Sequence, residues 1–281
     1  MAETATRRQL FATLAALLIP FLAILPSLGQ SPASALATAL KGTQAAGVVL
    51  DQRSGAVLAR VGPDRRGTPG SAIKPLLLAY ALAHGIVQPE TQVYCRRNLR
   101  IDGQPLPCTH PDDQPVFTAE RALAESCNTW FAELGRRFTG PQLEAALAAT
   151  HLPHRDMRSA TTSERQRAVL GLAGVSASPL ELARAYREII APLPRESVVT
   201  RGLTGSVDYG MASPARVQGL KILGKTGTAS NNLEAWTHGW FAGELPGRLT
   251  IVIYVPHGDG GTAAALAQRF FLALDPGTVR R

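Results

Sequence analysis

The 281 residues are 45% hydrophobic and 18% charged, enough apolar material for one large core or two small ones, which excludes a disordered or low-complexity chain. The formal charge is +8, yet the basic residues, 25 of 29 of them Arg, are scattered singly and in pairs without a basic run or interleaved aromatics. That distribution argues against nucleic acid as a partner and leaves a basic surface facing anionic lipid or an anionic polymer.

Arg7 and Arg8 precede an apolar run from Leu10 to Gly29, followed by the small residues Ala33, Ser34 and Ala35. A positive head, an apolar middle and an A-x-A-like end read as an export signal, and the paired arginines also fit a twin-arginine leader. Alternatively, the run from 10 to 29 stays in place as an N-terminal membrane anchor, with Pro20 and Pro26 interrupting a rigid span. Both readings put the remainder outside the cytoplasm, in the periplasm or on the outer face of the cytoplasmic membrane. They divide the chain into a signal or anchor over 1–37, one domain over 38–275 and a tail over 276–281.

Within that domain, Ala46–Asp51 and Gly55–Arg60 are apolar runs joined by a polar turn, which predicts a β-hairpin. Gly70-Ser71-Ala72-Ile73-Lys74-Pro75 then leads into an apolar helix that continues from Leu76 to Ala83 and stops at Gly85. Residues 86–117, rich in Pro, Gly, Gln and Asp, read as a long loop. Cys95 and Cys108 bracket twelve of its residues. A disulfide between them would contribute roughly 3 kcal/mol by restricting the unfolded chain; the other reading is two free thiols. Cys127 is read as a small apolar group facing the interior.

Thr118 is a candidate N-cap for a helix that breaks near Ser126. Further helices are predicted over 129–138, 142–149 and, from the Ser178 cap, 179–190. After Leu220 the period changes to that of strands, at 239–244 and 249–255, before a last helix over 263–274. The pattern predicts an α/β (α+β) fold, an antiparallel sheet flanked by helices, with an all-α lobe over about 67–199 inserted between sheet segments at about 45–66 and 200–275.

Three short motifs fall in this frame. Ser71 and Lys74 are three residues apart on one helix face, where a neutral amine can take the proton of a hydroxyl nucleophile. Ser126-Cys127-Asn128 and Lys225-Thr226-Gly227-Thr228 follow downstream. Because Arg cannot deprotonate, the choice of Lys at 74 in so Arg-rich a chain points to acid–base chemistry. His151 and His154 are spaced like metal ligands but lack a third partner nearby and read as surface residues.

In this order the three motifs resemble those of the penicillin-binding protein transpeptidase domain, of the serine β-lactamase-like superfamily. The first hairpin and the segment Gly174–Ala183 resemble the same family, over about Ala45–Phe271. The surroundings of Ser126-Cys127-Asn128, with Trp130 and Phe131, resemble the elongation-type class B members. No pedestal or glycosyltransferase domain has room here, so the domain reads as trimmed.

The resemblance implies that Ser71 attacks a D-Ala-D-Ala stem peptide of peptidoglycan, with Lys74 as base, Ser126 as proton relay and Lys225 as the neighbouring charge. Asn128, Thr226, Gly227 and Thr228 would contact the substrate. The backbone N–H groups of Ser71 and Thr228 would form the oxyanion hole. It implies β-lactams as covalent inhibitors, cell-wall synthesis proteins as partners, and no metal or organic cofactor. D,D-transpeptidase and D,D-carboxypeptidase are not separable on these residues. A serine β-lactamase and a non-catalytic penicillin-binding sensor or scaffold remain as alternatives.

Overall fold

The computed structural model describes residues 29–111, 114–231 and 235–274. The apolar run from Leu10 therefore lies, apart from Gly29, outside the described residues, and among these no helix is long and apolar enough to cross a membrane.

The first element is helix α1 (Pro32–Leu40), capped by the Ser31 side chain and started by a proline at its first turn. Its buried stripe, Ala35, Leu36, Ala39 and Leu40, joins the core that also holds the C-terminal helix. The expected boundary after residue 37 thus falls inside a helix that packs as part of the domain.

Strands β1 (Ala46–Asp51) and β2 (Val57–Val61) form the predicted hairpin, with a register shift between Val49 and Leu50. A 3₁₀ turn over Gly70–Ile73 runs directly into α2 (Lys74–Ala83). The segment read as a loop over 86–117 instead carries two small ladders. These are β3 (Val93–Tyr94), β4 (Arg100–Ile101), β5 (Gln104–Pro105) and β6 (Val116–Phe117), pairing β3 with β6 and β4 with β5.

Six helices follow: α3 (Ala119–Ala124), α4 (Asn128–Arg137), α5 (Gly140–Ala148), α6 (Thr162–Val169), α7 (Pro179–Ile189) and α8 (Val198–Asp208). The chain then returns to the sheet as β7 (Leu223–Ala229), β8 (His238–Leu245) and β9 (Leu249–Val255), and closes with α9 (Gly260–Ala273).

The five-stranded sheet has the order β2-β1-β9-β8-β7 and every pairing in it is antiparallel. All residues of β8 and β9 are buried, because both faces of the sheet are covered. Phe241, Ile251 and Ile253 point to the α1–α9 layer, while Trp240, Ala242, Val252 and Tyr254 point to the helical lobe. The period of two inherent in a strand thereby feeds two cores from one sheet. The sheet edge β7 lies against the 3₁₀ turn that bears Ser71, and the cleft forms at that junction.

Candidate active site

Ser71, Ser126, Asn128, Thr226 and Thr228 line one cleft of about 610 Å3, so residues from all three sequence motifs converge. Two glycines explain how closely the turn and the strand edge approach. Gly70 has φ +52°, and a Cβ on it would fall 2.6 Å from the Thr228 carbonyl oxygen; one on Gly227 would fall 2.3 Å from the carbonyl oxygen of Pro69. Neither site can hold a side chain without moving backbone. The same turn is held from below: Tyr186 of α7 donates its hydroxyl to Ala72 O at 2.6 Å, and Trp240 of β8 donates to Thr68 O at 3.0 Å.

Ser126 sits where α3 ends. Cys127 N–H donates to Ala122 O at 2.9 Å and Ser126 N–H to Leu123 O at 3.3 Å, the double bond pattern of a Schellman C-cap. The residue at its pivot is usually glycine, yet here it is Ser126 with φ +58°. A β-carbon held in the left-handed region costs about 1 kcal/mol or more. The turn aims the hydroxyl at two amines: Lys225 Nζ donates to Ser126 Oγ at 2.8 Å, and Lys74 Nζ lies 3.3 Å from the same oxygen.

Lys74 also donates to Ser126 O at 3.0 Å and to Asn128 Oδ1 at 2.8 Å. Both are acceptors only, so they use two amine protons, and in the neutral form the remaining position is a lone pair. Lys74 and Lys225 are both 0% exposed. Burial pushes the Lys74 amine from 10.5 down to about 8, against an opposing pull from the Cys127 and Cys108 thiols. Burial, reinforced by the Lys74 charge, holds Lys225 well below the ordinary lysine range. Asn128 is itself fixed, its amide donating to Pro107 O at 3.1 Å. The Thr228 hydroxyl accepts from Gly260 N–H at 3.0 Å, at the start of α9.

Directly behind Ser126 the structure departs from the sequence reading. Cys95 and Cys108, expected as a disulfide pair, are separate buried thiols with their sulfurs 3.5 Å apart. A third thiol competes for the same space: Cys127 Sγ lies 3.8 Å from Cys108 Sγ, and His110 Nε2 lies 3.5 Å from Cys95 Sγ. The Cys127–Cys108 hydrogen bond holds Cys108 below the ordinary thiol range and pushes Cys127 above it. The four donor atoms lie within 4.8 Å of one another, all on buried residues, and among the described residues they form a group that could hold a metal.

The family model for the penicillin binding protein transpeptidase domain matches residues 45–274. The chain belongs to this family. Its fold is that of solved penicillin-binding protein transpeptidase domains. The D,D-transpeptidase domain of a peptidoglycan glycosyltransferase from Eggerthella lenta superposes with a TM-score of 0.74 at 20% identity, covering 86% of this chain and 80% of that one. A peptidoglycan glycosyltransferase from Burkholderia ambifaria gives 0.72 at 22%, covering 84% and 91%. The transpeptidase domain of penicillin-binding protein 3 from Burkholderia pseudomallei gives 0.72 at 19%, covering 85% and 91%. Among curated protein sequences no relative matches this one.

In this transpeptidase domain the cleft contains residues that motif reading passed over, among them Met211, Ser213 and Asp259. His110 was passed over as well. Its signal was the Cys108-Thr109-His110 spacing beside two other cysteines, which becomes a cluster only when three chain segments meet.

Proposed function

We propose that this penicillin-binding domain is a serine D,D-acyltransferase acting on the D-Ala-D-Ala end of peptidoglycan stem peptides. The observation that carries the reading is the Ser126 hydroxyl held between two buried amines, Lys225 at 2.8 Å and Lys74 at 3.3 Å, in a cleft shared with Ser71. Lys74 takes the Ser71 proton as Ser71 Oγ attacks the carbonyl carbon between the two D-alanines. The tetrahedral oxyanion is received by the backbone N–H groups of Ser71 and Thr228. Ser126 passes a proton to the departing amine of the terminal D-alanine, the C–N bond breaks, and a Ser71 ester remains. An amine of a second stem peptide then attacks the ester, giving a cross-link; water in its place gives carboxypeptidase chemistry. Asn128, Thr226, Gly227 and Thr228 hold the peptide, and Lys225 with the threonines receives its terminal carboxylate.

A β-lactam presents the same amide within a ring, so its leaving nitrogen stays tethered and the ester persists. The tethered nitrogen obstructs the approach that water has to a peptidyl ester, so rapid hydrolysis as by a β-lactamase would require a further base for water. Among the described residues lining the cleft the single carboxylate is Asp259, and its Oδ1 is occupied as the cap of α9, accepting from Thr262 N–H and Oγ1–H at 2.8 and 2.9 Å. This favours a long-lived penicilloyl ester over turnover. A non-catalytic sensor or scaffold has no use for two desolvated amines, which each cost stability. We also place the domain outside the cytoplasm, exported by or anchored through residues 10–29, with cell-wall synthesis proteins as partners.

The test is labelling of the purified protein by a fluorescent penicillin, wild type against Ser71→Ala, followed over time. Label that is absent in Ser71→Ala and otherwise stable for many minutes supports the reading. Rapid loss of label moves it to a β-lactamase, and a folded wild type that takes no label overturns Ser71 as nucleophile.

A further inference from the structure

We propose that Cys95, Cys108, Cys127 and His110 form a tetrahedral zinc site that pins the Ser126–Asn128 turn from behind. In a tetrahedral Zn2+ site with Zn–S near 2.3 Å and Zn–N near 2.0–2.1 Å, neighbouring sulfurs stand about 3.8 Å apart and sulfur and nitrogen about 3.5 Å. The observed separations are 3.5 Å for Cys95–Cys108, 3.8 Å for Cys108–Cys127 and 3.5 Å from Cys95 Sγ to His110 Nε2. No pair among them needs to move by more than a few tenths of an ångström.

The surroundings are those of a ligand set. His110 Nδ1 lies 2.8 Å from Pro111 O, and a carbonyl there takes the ring proton and leaves Nε2, the atom facing the sulfurs, as the lone-pair nitrogen. The buried Glu125 carboxylate stands 3.8 Å from the same Nδ1. Thr129 Oγ1 is 3.4 Å from Cys95 Sγ and 3.6 Å from Cys108 Sγ, within reach to donate to a thiolate. Cys127 is the N-cap of α4, where the helix end favours negative charge. Three soft thiolates and one imidazole, all within 4.8 Å of one another, select zinc over the hard oxygen-seeking cations.

A Cys95–Cys108 disulfide would leave Cys127 and His110 crowded against it with no function for either. Zinc uses all four groups. It displaces the thiol protons to solvent, with no oxidant or reductant required. It joins three chain segments, the residue after β3, the loop after β5 and the α3–α4 turn. Because Cys127 lies between Ser126 and Asn128, the metal would fix the hydroxyl and the amide that face Lys74. The site stands or falls independently of the proposed acyl-transfer chemistry.

The experiment is metal analysis of the full-length chain isolated without chelator, with exchange of the bound metal for Co2+. The expected result is about one zinc per chain and, with Co2+, the intense thiolate-to-cobalt absorption of a tetrahedral site. Cys95→Ser and His110→Ala, where folded, should weaken zinc retention by about tenfold or more. Should these variants fail to fold, the wild type decides: denatured with chelator but without reductant, it should offer three alkylatable thiols. A chain lighter by two hydrogens with one alkylatable thiol overturns the proposal in favour of the disulfide. A folded wild type with neither retained zinc nor a cobalt spectrum overturns it as well.

Discussion

Lys225 Nζ on the sheet edge donates to Ser126 Oγ in the helical lobe at 2.8 Å, so one hydroxyl joins the two halves of the fold at the cleft. That hydroxyl is carried by a residue at φ +58°, where the backbone favours glycine. The strain is accepted because glycine has no oxygen to offer. Comparing Ser126→Gly with Ser126→Ala separates the two effects, since both remove the hydroxyl and only alanine keeps the Cβ. Thermal unfolding should show the glycine variant more stable than the alanine variant by about 1 kcal/mol. Penicillin acylation should fall in both by about 10² or more, the range for loss of a proton-transferring group. Equal stabilities would remove the backbone-strain account, and full acylation would remove Ser126 from the relay.

The acylation rate should depend on pH through Lys74. Burial lowers its amine from 10.5 to about 8, and in the proposed mechanism only the neutral form can accept the Ser71 proton. The rate is therefore expected to rise about tenfold per pH unit below 8 and to level off above it. Because the folded-state pKa is depressed, the unfolded chain holds more protons between about 8 and 10.5, so this lysine's contribution makes stability rise with pH across that window. Pre-steady-state labelling from pH 6 to pH 9.5 reads the rate profile. A flat profile below pH 8 would exclude Lys74 as the base.

Glu244 carries a titration of the opposite sign. This β8 carboxyl is 1% exposed, and burial raises its pKa from 4.5 to about 8. A carboxyl whose folded-state pKa is raised holds its proton in the native state while the unfolded chain has released it, so stability falls as pH rises from about 4.5 to 8, by up to about 1.4 kcal/mol per unit. Glu244→Gln keeps the shape and removes the titration. Denaturant melts at pH 5 and pH 8 should show a gain for Glu244→Gln that is larger at pH 8. No difference between the two pH values would show that the carboxyl titrates normally.

The legibility of the sequence followed how local each signal was. The hairpin, α2, α4 and α7 could be read because their caps, turns and apolar periods lie within single segments, as with Ser178 and Glu181 at the start of α7. Helix α8 could not: Gly202, Gly205 and its β-branched residues are poor helix formers, and packing overrides that preference. A Cβ on Gly202 would fall 3.0 Å from Glu120 O, so the glycine that weakens the helix lets it lie close to α3. The three motifs marked the cleft because their order survives in the chain. The Cys95–Cys108–His110–Cys127 cluster was hidden because its members are brought together only by the β3–β6 ladder and the α3–α4 turn. The left-handed Ser126 was equally invisible, since its conformation follows from the cap that surrounds it.

Helix α1 was hidden for a different reason: it lies beside the expected signal, where Ala33, Ser34 and Ala35 read as a cleavage site. In the structure the helix is part of the domain. Gln30 N–H donates to Ala273 O at 2.9 Å, and Ala35, Leu36, Ala39 and Leu40 are buried with Phe270 and Leu274 of the C-terminal segment. Burying two leucines contributes about 3–6 kcal/mol against leaving them exposed, comparable to the whole net stability of many domains. The comparison is between a chain beginning at Gly29 and one beginning at Lys41. A chain beginning at Lys41 should lose several kcal/mol and expose the α9 face as a sticky surface, read as a lower midpoint together with aggregation. If the shorter chain proves as stable as the longer one, α1 is an appendage to the fold, and cleavage within Ala33–Ala35 would be harmless. If it does not, then on the proposed export route cleavage would have to fall before Pro32, or the segment would have to remain attached.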